Sequence, residues 1–176
     1  MEDLKYPIGH YVAPEKITAQ HIKTWVRDIQ TLPAELKKIT SKLTEAQLDT
    51  PYRPDGWTVR QVIHHVADSH ANAYVRFKLA MTEENPTIKP YEEHLWAELE
   101  DAKNAPINLS LPLIAALHKR WVVFLKSIDK KDLAKRSYFH PASQKTTSLA
   151  SVLGLYSWHS RHHLAHITEL IKRNNW

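Results

Sequence analysis

Histidine is the residue type in this chain whose number and spacing predict chemistry. Twelve of the 176 residues are histidine, and four of them lie between His159 and His166. On a helix, side chains four positions apart share a face with their Cβ atoms about 6 Å apart, so a HxxxH pair can bind one ion. Two such pairs occur here, His159 with His163 and His162 with His166. The sequence therefore predicts a site where imidazoles hold a divalent metal ion.

The positions of these histidines around the last helix distinguish the two pairs. His159 and His163 fall within or beside the apolar arc of that helix, whereas His162 points well away from it. His166 lies at the edge of the arc, where it either supports a ligand or is a plain surface residue. An imidazole that faces a core needs partners for both ring nitrogens. The inward pair is therefore predicted to bind the ion. The arc is formed by Leu149, Val152, Tyr156, Ile167 and Leu170.

A third ligand is expected from the second long helix, which carries three histidines. His64 lies nearly opposite the apolar arc of this helix and should be solvated, His70 lies on the core side, and His65 lies on the border. His65 is the first choice because it belongs to a polar stripe where a water-containing pocket can form, with His70 as the alternative. A hydrogen-bonded structural role for these histidines also stays open, since HxxxH pairs arise by chance in a histidine-rich chain. The stripe contains Thr58, Gln61, Ser69, Asn72 and Arg76.

Several other kinds of site are excluded by residue type. The chain has no cysteine, so a transition-metal site must use imidazole, carboxylate or water. A zincin motif needs glutamate directly after the first histidine of its pair, but Ser160 follows His159. A ferritin-like di-iron bundle needs ExxH pairs, and none of the histidines has a glutamate three residues before it. No GxSxG elbow marks a nucleophilic serine. The pattern favours a mononuclear site.

The elements that must position these residues are predicted to be helices. Only three glycines occur and alternating apolar and polar runs are rare, which favours an all-α bundle over sheets. Residues 1–176 are expected to form one domain. Thr58 and Gln61 have the spacing of a capping box, and Pro33 should bend or split the first helix. The predicted helices are 15–42, 58–82, a short one over 91–103, 110–128 and 148–172.

Composition restricts the partners. The formal charge is +5, but the basic residues form scattered pairs without a nucleic-acid-binding motif, so no nucleic-acid partner is predicted. No run of eighteen uncharged apolar residues occurs, and the charged start of the chain is unlike a signal peptide. We therefore expect a cytoplasmic protein with no membrane partner and with a small-molecule substrate.

Two segments carry a resemblance to a known family. Residues 56–70, GWTVRQVIHHVADSH, and 158–167, WHSRHHLAHI, resemble the DinB-like superfamily and, within it, the YfiT group of metal-dependent hydrolases. The resemblance extends to residues 6–9 and 76–79. It implies a four-helix bundle, a homodimer, and one zinc or nickel ion per chain held by one histidine of the second helix and two of the last. Matched to this sequence, those ligands are His65, His159 and His163, which favours His65 over His70. His166 departs from the glutamine of many relatives and is not counted.

The resemblance implies a hydrolase, and the residues allow two further functions. A divalent ion with three protein ligands keeps an open position and lowers the pKa of a bound water to about 7. The first alternative is transfer of a low-molecular-weight thiol such as bacillithiol, because a metal-bound thiol is a thiolate; Arg76 could then hold an acidic thiol cofactor. The second alternative is a non-enzymatic metal-binding helical module. The catalytic acid or base stays unassigned among Asp68, Gln61, Tyr156 and His166.

Overall fold

Long helices dominate the computed structural model, which describes residues 2–176. They are joined by short helices and one β-hairpin. In chain order the elements are α1 (Glu2–Lys5), α2 (Ala19–Thr40), α3 (Glu45–Leu48), α4 (Val59–Thr82), α5 (Glu93–Trp96), α6 (Glu100–Asn104), α7 (Ser110–Ser127), α8 (Lys130–Lys135), β1 (Ser137–His140), β2 (Lys145–Ser148) and α9 (Leu149–Asn174).

The four longest helices form the predicted bundle. Helix α2 packs against α7 and α9, and α4 packs against the same two helices, so α2 and α4 lie diagonally opposite each other. The all-α, four-helix-bundle prediction is confirmed. Two short helices, α5 and α6, occupy the interval between the second and third long helices, where one was expected. Within residues 2–176, no helix combines the length and the apolar character needed to cross a membrane.

Helix boundaries follow local capping and packing. Thr58 accepts a hydrogen bond from the Gln61 backbone and Gln61 caps the Thr58 backbone in return, so the predicted capping box starts α4. Pro33 was predicted to bend or split the first helix; α2 runs through it without interruption, so the helix is not split. Ile29 and Leu36 on either side of Pro33 are fully buried. Their packing holds the helix together although proline removes one backbone hydrogen bond.

The β-hairpin is an element that the sequence did not predict. β1 and β2 pair antiparallel from Ser137 with Ser148 to His140 with Lys145. The Ile88 amide also donates to the Phe139 carbonyl at 3.1 Å, which ties the hairpin to the segment after α4. The side chain of Tyr138 in β1 is buried in the apolar core. Each strand has four residues, too few for their alternation to be recognised in the sequence.

The core of the bundle is divided into two apolar clusters. One contains Trp25, Phe77, Trp121 and Tyr156 among its buried side chains. The other is formed by residues nearer the opposite end of each long helix, including Leu36, Val62, Ile114 and Ile167. Between the two clusters, α4, α7 and α9 each present histidines in place of apolar residues. This histidine layer contains the candidate site.

Candidate metal centre

Three imidazoles from two helices converge at one end of the histidine layer. One ring nitrogen from each of His65, His159 and His163 lies within 4.8 Å of the others. His65 Nε2 is 3.3 Å from His159 Nε2, and His163 Nε2 is 3.1 Å from the same atom. The structure thus brings the three predicted ligands, one from α4 and two from α9, to a common point.

The spacing of these nitrogens fits a single ion. Zinc–nitrogen bonds of about 2.0–2.1 Å at tetrahedral angles hold two ligand nitrogens about 3.3–3.4 Å apart, close to the distances between His159 and its two neighbours. A neutral imidazole nitrogen carries either one proton or one lone pair. His159 Nε2 cannot form a good hydrogen bond with both neighbours at once, whereas an ion would accept a lone pair from each of the three.

Burial keeps these imidazoles in the form that binds metals. Burial, with a smaller contribution from the nearby His166, lowers the pKa of His65 to about 4. Burial also lowers the pKa of His159 and His163 well below the usual value, with His65 adding to both effects. All three rings are therefore neutral at pH 7. Neutral imidazole is the species that ligates a metal, and it requires no proton to be released.

His70, the alternative third ligand, lies on the other side of His159. Its Nε2 is 3.1 Å from His159 Nδ1, the nitrogen that faces away from the converging atoms. His70 Nδ1 is in turn 2.8 Å from His118 Nε2, and His118 Nδ1 is 2.6 Å from the Ile29 carbonyl oxygen. His70 therefore contacts a proposed ligand without pointing at the common site.

A cavity of about 540 Å³ opens onto the three histidines. The Trp57 ring packs on His65 with centroids 4.6 Å apart, and both basic and acidic residues contribute to the wall. This combination suits a small molecule with apolar and charged parts. The lining residues are Lys5, Tyr6, Tyr52, Arg53, Asp55, Gly56, Trp57, His65, Glu93, His94, Trp158, His159, His162, His163 and His166.

The second pair of the last helix also lies in this wall, and its predicted environment was partly wrong. His162 and His166 are both buried, and together with His163 they form a second group with ring nitrogens within 4.8 Å. His162 was expected to point away from the packed side of α9. Trp158, one turn earlier on α9, stacks on it with centroids 4.4 Å apart, and Tyr6 covers it from outside the helix with centroids 5.7 Å apart.

His166 is held by the same segment. Its Nε2 donates to the Lys5 carbonyl at 3.0 Å, and its ring stacks on Tyr52 with centroids 3.8 Å apart. Because Nε2 donates, His166 Nδ1 carries the lone pair, and that atom has no partner among the described residues. Of the two roles considered for His166, surface residue or support of the site, the burial excludes the first.

The predicted environment of His64, on α4, was also wrong. The helical wheel placed it in solvent, but it is buried, with Nδ1 2.7 Å from Ser110 Oγ and Nε2 3.0 Å from the Ala105 carbonyl. The start of α7 and the loop before it cover this face of α4. A wheel for one helix cannot include partners that come from another element.

Of the four acid–base candidates, His166 alone lines the cavity. Gln61 caps α4 and donates to the Ala97 carbonyl at 2.8 Å, and Tyr156 donates to the Ser69 carbonyl at 3.4 Å. The pKa of Asp68 is raised to about 6 by burial and by Asp101, but this carboxyl is not in the cavity wall. Gln61 and Tyr156 therefore have structural partners of their own.

Arg76 and His118 differ from the sequence-based picture. Arg76 was considered as a holder of an acidic thiol, but it is buried, donates to the Lys89 carbonyl at 3.2 Å and does not line the cavity. Lys5 and Arg53 are the basic residues that do. His118 was not singled out at all, because it has no HxxxH partner and stands next to Lys119 and Arg120. Its spacing with Ile114 and Trp121 on the apolar side of α7 was the available signal.

Comparison with known proteins agrees with this architecture. A putative metal-dependent hydrolase of Bacillus pumilus, so named, is 56% identical over 176 residues, covering 100% of this chain and 99% of its own. One from Bacillus cereus is also 56% identical over the full length of both chains. The structure of YfiT from Bacillus subtilis, described as a probable metal-dependent hydrolase with an unusual four-helix bundle topology, has a TM-score of 0.95 at 48% identity and covers 99% of both chains. The family profile described as the DinB superfamily matches residues 28–167. The chain therefore belongs to the DinB superfamily.

Proposed function

We propose that this protein is a metal-dependent hydrolase in which His65, His159 and His163 hold one zinc or nickel ion. The observation that carries the proposal is the convergence of three neutral Nε2 atoms at the wall of a cavity large enough for a small substrate. The names of the full-length relatives support the reaction class. Three protein ligands are the number found in catalytic zinc sites, whereas structural sites usually have four.

The ligand set determines how strongly the ion acts. Three neutral imidazoles leave the charge of a dication undiminished, because no carboxylate or thiolate is among them. Held by these three histidines, such an ion would act as a Lewis acid that polarises a substrate oxygen and lowers the pKa of water. The ring of Trp57 packs against His65 and so supports the position of that ligand. The protein thus contributes fixed ligand positions in a partly closed cavity.

The cavity wall indicates which substrates would fit. Tyr6, Trp57 and Trp158 provide flat apolar surfaces, which bury the hydrocarbon part of a substrate and displace water from it. Arg53 and Lys5 line the same cavity and can pair with an acidic group. We therefore propose a small-molecule substrate with an apolar part and an anionic group.

Hydrolysis of a panel of activated esters and amides, with no thiol present, tests this function. The protein loaded with Zn²⁺ or Ni²⁺ should turn over at least one member of the panel, and a chelator should abolish the activity. His65→Gln should abolish it as well. The neighbouring His64→Gln is a matched control, because His64 is equally buried but bonds to Ser110 and Ala105 instead.

Other outcomes would favour the two alternatives. Consumption of a free thiol with monobromobimane, without ester or amide turnover, would contradict the hydrolase and favour thiol transfer. A protein that unfolds on chelation and lacks both activities would favour a metal-binding module. If the metal-loaded protein and His65→Gln have equal hydrolase activity, the three-histidine site is not the catalytic centre.

A further inference from the structure

A chain of hydrogen bonds crosses the histidine layer and uses one residue from each bundle helix. It starts at the Ile29 carbonyl on α2, continues through His118 on α7 and His70 on α4, and ends at His159 on α9. Each step joins two helices that pack against each other. His70 and His118 are fully buried, so water does not compete for these bonds.

The Ile29 carbonyl fixes the direction of every hydrogen bond in this chain of bonds. A carbonyl oxygen can only accept, so His118 Nδ1 carries a proton and donates to Ile29. Burial lowers the pKa of His118 to about 4, so its ring is neutral at pH 7 and Nε2 carries a lone pair. His70 Nδ1 must then donate to that lone pair. His70 Nε2, lacking a proton, must accept from His159 Nδ1.

We infer that His118 and His70 are positioning residues that hold His159 as its Nδ1–H tautomer, which leaves the Nε2 lone pair facing His65 and His163. The opposite tautomer would place a proton between these rings and prevent His159 from binding an ion. His118 acts at a distance, since it contacts His70 and not His159. The metal-affinity part of this inference rests on the proposed function, but the tautomer part does not.

The chain of hydrogen bonds fixes a tautomer and does not conduct protons. A proton path needs a group at each end that can take up and release protons, and the Ile29 carbonyl can do neither. His163 provides a contrast, because its Nδ1 is buried and has no partner among residues 2–176. Of the two α9 ligands, the one in the hydrogen-bond chain is therefore the one with a defined tautomer. Removal of the hydrogen-bond partner on the outer nitrogen of a ligating histidine lowers metal affinity by about 10–100-fold.

Long-range ¹H–¹⁵N spectra of the metal-free protein, labelled at histidine, test the tautomers directly. His118, His70 and His159 should each be protonated at Nδ1. In His118→Leu, His70 loses its acceptor, and we expect its proton to move to Nε2 and the His159 proton to move to Nε2 in response. His118→Gln offers one donor and one acceptor and should restore the wild-type spectrum at His159.

Competition with a chelator for Zn²⁺ measures the consequence for the site. His118→Leu should bind about 10–100-fold more weakly than wild type, and His118→Gln should stay within a few-fold of it. Val122→Ala, one turn further along α7 and buried in the apolar cluster, controls for lost packing and should bind like wild type. Equal affinity of His118→Leu and wild type would overturn the inference.

The two measurements separate this inference from the proposed function. If the wild-type protein binds no Zn²⁺ or Ni²⁺, the metal site is refuted, and the spectra still decide the tautomer. Protonation of His159 at Nε2 in the wild-type protein would refute the assigned tautomer, whatever the metal affinity. The wild-type spectrum requires no variant, so a failure of His118→Leu to fold does not prevent this test.

Discussion

The stability of the metal-free protein should fall as the pH falls below 6.5, and His118 should account for a measurable share of the fall. His118 is 1% exposed, and burial lowers its pKa from 6.5 to about 4. Above 6.5 the ring is neutral in both states, so it contributes no pH dependence. Between 6.5 and 4 the unfolded chain takes up a proton at this position and the folded protein does not. The free energy of unfolding therefore decreases as the pH falls through this window.

The size of the effect follows from that shift. In full it corresponds to about 3 kcal/mol, of which about 1.2 kcal/mol should be lost between pH 7 and pH 5.5. His118→Gln removes the titrating group while keeping one donor and one acceptor. Urea unfolding of both metal-free proteins at the two pH values should show a stability difference that changes by about this amount.

The comparison isolates His118 because other groups cancel. The pKa of Asp68 is raised to about 6, which has the opposite sign, but Asp68 is present in both proteins. The pKa of His166, lowered to about 4 by burial, is likewise common to both. If wild type and His118→Gln lose the same stability between pH 7 and 5.5, His118 is not held neutral by burial, and the direction assigned to the hydrogen-bond chain is wrong.

Three further predictions concern the site and its supports. His163→Gln should reduce Zn²⁺ affinity by about tenfold or more; at a Zn²⁺ concentration of one hundred times the wild-type Kd, the stabilisation by the ion should fall from about 2.7 kcal/mol to about 1.4 kcal/mol or less, and an unchanged calorimetric shift would contradict ligation. Gly154→Ala should destabilise the protein by about 1–3 kcal/mol in urea unfolding, because the added Cβ would lie 2.6 Å from the Tyr11 hydroxyl and 2.9 Å from Cη2 of the buried Trp25 ring; equal stability would show that both side chains can move. Arg60→Met should lower the unfolding free energy by about 1–2 kcal/mol, with part of the loss screened out at high salt, since this buried guanidinium pairs with Asp49 at 2.7 Å and donates to the Ala105 carbonyl. A loss independent of salt would contradict a contribution from the ion pairs with Asp49 and Glu45.

Helical periodicity predicted most of the bundle, because each long helix carries its own apolar face. The start of α4 was readable from Thr58 and Gln61, whose capping is local in sequence. The placement of His159 and His163 on one face of α9 needed only the helical repeat. These features depend on residues within a few positions of each other, which is the range that sequence patterns describe.

Contacts from distant parts of the chain were not predictable in the same way. His64 was placed wrongly because Ala105 and Ser110 cover it, and His162 because Tyr6 packs on its ring. His118 becomes meaningful only when α7 packs between α2 and α4, which brings its ring to the Ile29 carbonyl. A projection of one helix contains neither the covering segment nor the neighbouring helices.

The histidine layer also determines how the four helices are aligned along the bundle axis. Leucine, isoleucine and valine side chains can exchange neighbours when a helix slides by one turn, because apolar contacts have no required partner. The imidazole layer has required partners. A slide of α4 or α7 by one turn, about 5.4 Å, would break two of its three hydrogen bonds, and a slide of α2 or α9 would break one. Each unpaired buried donor costs about 1–3 kcal/mol. His70 and His118 thus select a single longitudinal register, in the way that a buried polar residue fixes the register of a coiled coil.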